Sequence, residues 1–313
     1  MLEERLLKRL NEKKAQLDAL RPMPAGILAR LRQQLDLDWI YNSNAIEGNT
    51  LTLQETRLIL ETGLTIGGKN LREHFEVINH REAIAYVEDL VKQVAEVTAH
   101  HIRQIHKLVL SQIDDENAGQ YRKTPVRIAG AKHTPPDAWE IPQLMMDWGD
   151  WLARERKLQH PVILAALAHH RLVSIHPFVD GNGRTARLLM NVVLMKSGYP
   201  PTVIERIHRQ QYYRILAQAD AGNPAPLVNF VGRAVERSLI LYLDAIQPQT
   251  SAPDDDETWL PLRQAAQGTP YSQDYLSLLA RKGRLEAVKR GRNWYTTHKA
   301  VAAYLRSLED DTG

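Results

Sequence analysis

Residues 161–198, PVILAALAHHRLVSIHPFVDGNGRTARLLMNVVLMKSG, decide the fold. Residues 162–168 are hydrophobic on every face, a pattern expected of a helix surrounded by protein, so the helix predicted over 161–174 is a buried central element. A second helix is predicted over 183–197, joined to the first by a polar, glycine-containing turn. Outward from this pair, apolar residues at helical spacing predict further helices over 4–20, 25–47, 52–62, 71–93, 99–112, 142–157, 208–220 and 224–246. Thr52 and Glu55 form a capping box, and Pro142 stands at a first helical position. Between Tyr121 and Pro136, β-branched residues around Ala129-Gly130 predict a small β-hairpin in an otherwise helical domain. Residues 247–258, with two prolines and four acids, read as a linker, and residues 259–313 as a separate small domain. The expected fold is therefore mainly α, with a helical region over 1–95, a core over 96–246 and a smaller α+β domain at the end.

Composition narrows the function classes. The 313 residues are 43% hydrophobic, enough for one large helical domain and a small one. Forty Lys and Arg against 37 Asp and Glu are too evenly matched to imply a polyanion partner for the whole chain. Zero cysteines exclude disulfides and thiolate metal sites. The stretch MLEERLLKRLNEKKAQL is amphipathic without the apolar core of a signal peptide, and no later run approaches a membrane span. The expectation is a cytoplasmic protein with no membrane partner.

The turn at 176–187 concentrates the chemistry. Asp180, Gly181, Asn182 and Gly183 allow a tight path with outward amides, leading into the positive N-terminal end of a helix. Arg184 and Arg187 share a face of that helix, so turn and arginines suit a polyphosphate, with amides and Asn182 on the inner phosphates and the guanidiniums on the outer ones. Asp180 supplies a hard oxygen for Mg2+, and His176 can take a proton near neutral pH. Singly, each has a blander reading: a structural histidine, an ordinary turn, a solvated helix face. Their coincidence within twelve residues favours a site.

HPFVDGNGRTAR resembles the whole of the Fic motif, His-Pro-Phe-x-Asp-Gly-Asn-Gly-Arg-x-x-Arg, and the resemblance extends from SNAIEGN through FEVINHREAIAYV to HRQQYYRILAQA, roughly residues 25–246. It implies a helical Fic core that transfers AMP from ATP to a Ser, Thr or Tyr hydroxyl of a target protein, releasing pyrophosphate. By that resemblance His176 is the general base and Asp180 holds Mg2+. Gly181, Asn182, Gly183, Arg184 and Arg187 bind ATP, and Tyr213, of the Tyr212-Tyr213 pair, lies near adenine, although both tyrosines also read as core aromatics. Val126, Arg127 and Ile128 resemble one arm of the flap that docks the target segment by backbone pairing.

SNAIEGN, residues 43–49, poses its own question. It ends a predicted helix on Glu47, a carboxylate at the negative end of the helix dipole, before Gly48 in the left-handed cap position. The stretch resembles the inhibitory motif of Fic proteins with an N-terminal inhibitory helix, which implies that Glu47, with Ser43, pairs with Arg187 and blocks productive ATP binding. In some relatives the same glutamate assists removal of AMP, so a de-AMPylating or bifunctional enzyme is an alternative. A third reading is a DNA-binding regulator with a nucleotide-sensing Fic domain. Residues 259–308 carry nine Lys or Arg against two Asp or Glu and resemble winged helix-turn-helix modules, with Arg281, Lys282, Arg284, Lys289, Arg290 and Arg292 near the predicted second helix and wing. DNA through these residues, a protein partner there and a homodimer all stay open.

Overall fold

A computed structural model describes residues 1–128, 130–246, 259–267, 269, 272–283, 285–291, 293–297, 300, 301 and 304. The chain divides into two compact units, Met1–Ile246 and Gln247–Gly313. The predicted linker, residues 247–258, lies outside the described residues.

In the first unit the helices are α1 (Glu4–Ala19), α2 (Ala25–Ile46), α3 (Leu53–Thr62), α4 (Leu71–Lys92), α5 (Ala99–Leu110), α6 (Ile141–Glu155), α7 (Pro161–Ile175), α8 (Asn182–Lys196), α9 (Arg209–Asp220) and α10 (Ala225–Ile246). The predicted helix pair is the centre: α7 packs on α8, and α4, α5, α6 and α10 surround them. Leu164, Ala165, Ala166, Ala168 and Leu172 of α7 are buried, as is every residue of α8 from Arg184 to Leu194. Removing each large apolar side chain from water contributes about 1.5–3 kcal/mol, which is why so hydrophobic a pair sits innermost. The capping box of α3 forms as expected, with the Glu55 N–H donating to Thr52 Oγ1 at 3.2 Å and the Thr52 N–H to Glu55 Oε2 at 2.7 Å. α2 lies against α4 and touches α8, which brings its C-terminal end to the turn between α7 and α8.

The expected hairpin takes another form. Among the described residues between Tyr121 and Pro136 there is no strand; the segment is an extended loop with a turn closed by the Ala131 N–H on the Ile128 carbonyl at 3.1 Å. The two arms are joined by one side chain instead. Arg122, 2% exposed, donates through Nη1 to the Thr124 carbonyl at 3.1 Å and through Nη2 to the Pro136 carbonyl at 2.6 Å. Pro125, Pro135 and Pro136 have no N–H to give a ladder, so the guanidinium supplies the cross-link that backbone amides would have made.

The second unit contains β1 (Leu260–Pro261), α11 (Leu262–Ala265), α12 (Gln273–Arg281), β2 (Ala287–Arg290) and β3 (Asn293–Thr296). The strands form an antiparallel sheet in the order β1-β3-β2, with β2 and β3 joined across Gly291 and β1 a short strand beside β3. Leu262, Leu276, Leu279, Leu285 and Val301 form its own core. Arg281, Lys282 and Lys289 are exposed, whereas Arg284 and Arg292 lie outside the described residues.

Candidate active site

The turn between α7 and α8 is held by contacts from three sides. His176 caps α7 with φ 50°, a left-handed conformation that costs a non-glycine residue about 1–3 kcal/mol and persists only when its surroundings enforce it. Arg122 enforces it by donating from Nε to the His176 carbonyl at 2.8 Å, while the Arg122 N–H binds the Pro177 carbonyl at 2.9 Å. The His176 ring places Nδ1 at 3.3 Å from the Val173 carbonyl, which keeps the proton on Nδ1 and the lone pair on Nε2. Burial, reinforced by the charge of Arg122, lowers its pKa below the ordinary histidine value, so the ring is neutral at pH 7.

Asn182 closes the turn from within: its Oδ1 accepts from the Phe178 N–H at 3.0 Å and its Nδ2 donates to the Phe178 carbonyl at 2.9 Å. The backbone amides at the start of α8 are anion-binding groups, because they lack carbonyls one turn earlier. A residue not singled out from sequence, His106 of α5, holds the turn from beneath. Its ring stacks on Phe178 at 3.6 Å, Nδ1 accepts from the Gly119 N–H at 2.9 Å, and Nε2 donates to the Asp180 carbonyl at 2.9 Å. Burial pushes its pKa down to about 4, which keeps the ring neutral, while the two hydrogen bonds set the tautomer. The signal was present in HIRQIHKL, a histidine among isoleucines on the buried face of a helix.

Arg184 and Arg187 are each 2% exposed, and carboxylates occupy both. Arg187 donates from Nε to Ser43 Oγ at 3.0 Å, and from Nη2 to the Ser43 carbonyl and Glu47 Oε1, both at 2.8 Å. Burial alone would lower the Arg187 pKa; Glu47 and the Tyr212 hydroxyl together outweigh it, and the guanidinium is held above its ordinary value. Gly183 makes this approach feasible, since a Cβ there would lie 2.3 Å from Glu47 Oε1. α2 itself ends at Ile46, one residue before the expected end, with Glu47 as its cap and Gly48 at φ 105°. Its last carbonyl, on Ile46, accepts from Arg209 Nε at 2.6 Å, a second cation offsetting the helix dipole that the sequence did not reveal.

Arg184 Nη1 lies 3.2 Å from Glu76 Oε1 and its Nη2 3.7 Å from Asp180 Oδ2. Asp180 accepts from the Gly181 N–H at 2.6 Å on Oδ1 and from Arg72 Nη2 at 2.5 Å on Oδ2. Burial opposes its ionisation, but Arg184, the Gly181 amide and Arg72 prevail and lower its pKa. Its side chain is 46% exposed. Among the described residues no three His, Cys, Asp or Glu side chains cluster as a metal cage. One accessible carboxylate still fits Mg2+ arriving with a nucleotide, because that ion takes one or two carboxylates and completes its shell from waters and phosphates. Tyr212, 1% exposed, is a core residue bonded to His169 Nε2 at 2.7 Å, whereas Tyr213 is 40% exposed, reaches the Ile46 carbonyl at 3.3 Å and carries Arg209 over its ring. Of the flap residues, Val126 and Ile128 are half-buried and Arg127 is exposed.

Comparison with known proteins identifies this arrangement. Residues 96–194 match the Fic/DOC family. A solved Fic domain containing signaling protein from Bacteroides thetaiotaomicron is 32% identical, with a TM-score of 0.71 over 76% of this chain and 97% of its own. The chain belongs to the Fic/DOC family. Among its Fic relatives, Fic-1 from C. elegans (aa134 - 508) is 34% identical, with a TM-score of 0.72 over 77% of this chain and 72% of that structure. Protein adenylyltransferase Fic of Drosophila grimshawi is 42% identical over 243 residues, 77% of this chain and 50% of the relative. The chain thus spans about half the length of the curated relatives it matches.

Proposed function

We propose that this Fic chain is a protein adenylyltransferase, held in check by Glu47. The observation that carries the reading is the turn itself: a neutral histidine with a free Nε2, backbone amides at a helix N-terminus and two buried arginines converge on one place. A target hydroxyl would give its proton to His176 Nε2 while its oxygen attacks the α-phosphorus of ATP in line, forming the phosphodiester as the bond to pyrophosphate breaks. Arg184 and Arg187 neutralise the charge growing on the leaving pyrophosphate, and the α8 amides position the inner phosphates. Mg2+, part of the ATP substrate, would sit at Asp180 and supply further charge neutralisation. Val126, Arg127 and Ile128 offer an edge to an extended target segment; among the described residues, no backbone partner occupies Val126 or Arg127.

The test uses labelled ATP and candidate lysate, with labelled peptides identified by mass spectrometry. His176→Ala is expected to lose transfer by at least about a hundredfold, the range of general base catalysis, while a fluorescent ATP analogue still binds. Because the histidine pKa is lowered, transfer by the wild type should persist below pH 6.5 and fall only as His176 protonates at lower pH. Equal labelling by both proteins would remove His176 from the reaction. A second reading shares the site: Glu47 is close enough to His176 to oppose the lowering of its pKa, a position from which it could orient water for removal of AMP. The exposed Arg281, Lys282 and Lys289 keep DNA as a candidate partner of the second unit.

A further inference from the structure

α4 presents an arginine to Asp180. Arg72 stands in the first turn of α4, where Asn70 caps the helix by accepting from the Arg72 N–H at 2.9 Å. From this fixed backbone position its Nη2 reaches Asp180 Oδ2 at 2.5 Å, and its Nε lies 3.4 Å from Glu76 Oε1. Glu76 Oε1 also faces Arg184, and Glu76 Oε2 accepts from Asn49 Nδ2 at 2.9 Å, so one carboxylate joins Arg72, Arg184 and the end of the SNAIEGN stretch. The Arg72 side chain is 50% exposed and that of Asp180 46%, which leaves both able to exchange partners with solvent ions.

We infer that Arg72 is the resident counter-cation of Asp180, which a divalent ion must displace when nucleotide binds, and that it thereby sets the concentration of free Mg2+ the chain needs. The inference rests on the adenylyltransferase reading for the role of Asp180. A guanidinium and Mg2+ cannot share Oδ2 at close range without mutual repulsion, which for a divalent ion at about 4 Å in water weakens binding by roughly thirtyfold before salt screens it. Arg72 is built to yield, because Glu76 already lies beside its Nε and can keep the guanidinium when Asp180 turns to the metal. Exposed ion pairs are modest in strength, so displacement shifts a midpoint and does not abolish binding.

Equilibrium binding of a fluorescent ATP analogue to the full chain in the Glu47→Gly background, titrated with free Mg2+, tests this. Arg72→Ala is expected to lower the Mg2+ midpoint by about threefold to tenfold. Arg72→Lys, which keeps a cation near Asp180, should stay near the parent midpoint. Asp180→Ala should remove the Mg2+ dependence of nucleotide binding; if it does not, the metal role of Asp180 fails, and the inference with it. Should Asp180→Ala behave as expected while Arg72→Ala leaves the midpoint unchanged, Arg72 does not compete with the metal. A raised midpoint or weaker binding at saturating Mg2+ would make Arg72 a phosphate ligand and overturn the proposal equally. Circular dichroism of Arg72→Ala matching the parent excludes unfolding as the cause of any shift.

Discussion

Glu47 shows how much rests on a single carboxylate. Its side chain is 31% exposed and that of Arg187 3%, so the pair joins a buried cation to a carboxylate at the rim. A hydrogen bond to a charged group contributes about 1.5–3 kcal/mol, more than the roughly 0.3–1 kcal/mol a carboxylate loses at a helix C-terminus. The upper end leaves the open arrangement populated near one per cent, so Glu47→Gly should raise the initial rate of AMP transfer by about tenfold to a hundredfold. Auto-modification measured at saturating and subsaturating ATP checks this, and unchanged rates at both would end the autoinhibitory reading. Arg187→Ala in the Glu47→Gly background should lower activity, since no carboxylate remains for that substitution to relieve. Loss of AMP removal in Glu47→Gly would assign Glu47 the hydrolytic role while leaving its contact with Arg187 intact.

At the scale of elements, Arg122 has the widest reach. It donates to three carbonyls, on His176, Thr124 and Pro136, so one guanidinium fixes the His176 backbone and closes the loop carrying Val126, Arg127 and Ile128. Arg122→Ala should strip the cross-link from both arms of the loop, costing target modification at least about tenfold by leaving buried carbonyls unpaired, with a smaller effect on ATP binding. Separate measurements of labelling rate and nucleotide affinity distinguish these, and equal losses in both would mean that Arg122 supports only the turn. The helices were legible because their apolar spacing and caps are local: α3 announces itself through Thr52 and Glu55, and α7 through an unbroken apolar run. The loop was misjudged because its closure comes from a side chain whose partners lie 2, 14 and 54 residues away, a relation no local pattern carries. The site divides the same way. Motif residues 176–187 were legible as a constellation, whereas His106, Arg72 and Glu76 enter it from α5 and α4 only once the helices pack.

For the whole first unit, the same packing builds a dependence on acidity. His80, His106 and His169 are buried on α4, α5 and α7 around the central helix pair. Burial is the leading cause of a lowered pKa in each: well below 6.5 for His80, to about 4 for His106 and to about 3 for His169. Each folded value lies below the unfolded one, so as pH falls under about 6.5 the unfolded chain takes up protons that the folded chain refuses. Stability is therefore full above that value and declines toward pH 4, by at most about 1.4 kcal/mol per histidine per pH unit. Asp180 is also lowered, from its ordinary 3.8, and its contribution is likewise lost as pH falls, but only near and below that pH, so it does not govern this window. Asp36 and Asp38, raised by burial, oppose the histidines, and only at pH values near their own titration. Urea unfolding followed by circular dichroism is expected to show a midpoint unchanged between pH 8 and 7 and falling between pH 6.5 and 5.5. His106→Gln should make that fall shallower, although it also removes the ring from Phe178 and lowers stability at pH 7. A midpoint flat from pH 7 to 5 would mean that the core accommodates protonated imidazoles. Protonation of His106, near pH 4, falls on Nδ1 and breaks its bond from the Gly119 N–H while Nε2 still donates to the Asp180 carbonyl, so nucleotide binding measured with a fluorescent ATP analogue should hold between pH 6.5 and 5.5 and weaken only as pH nears 4.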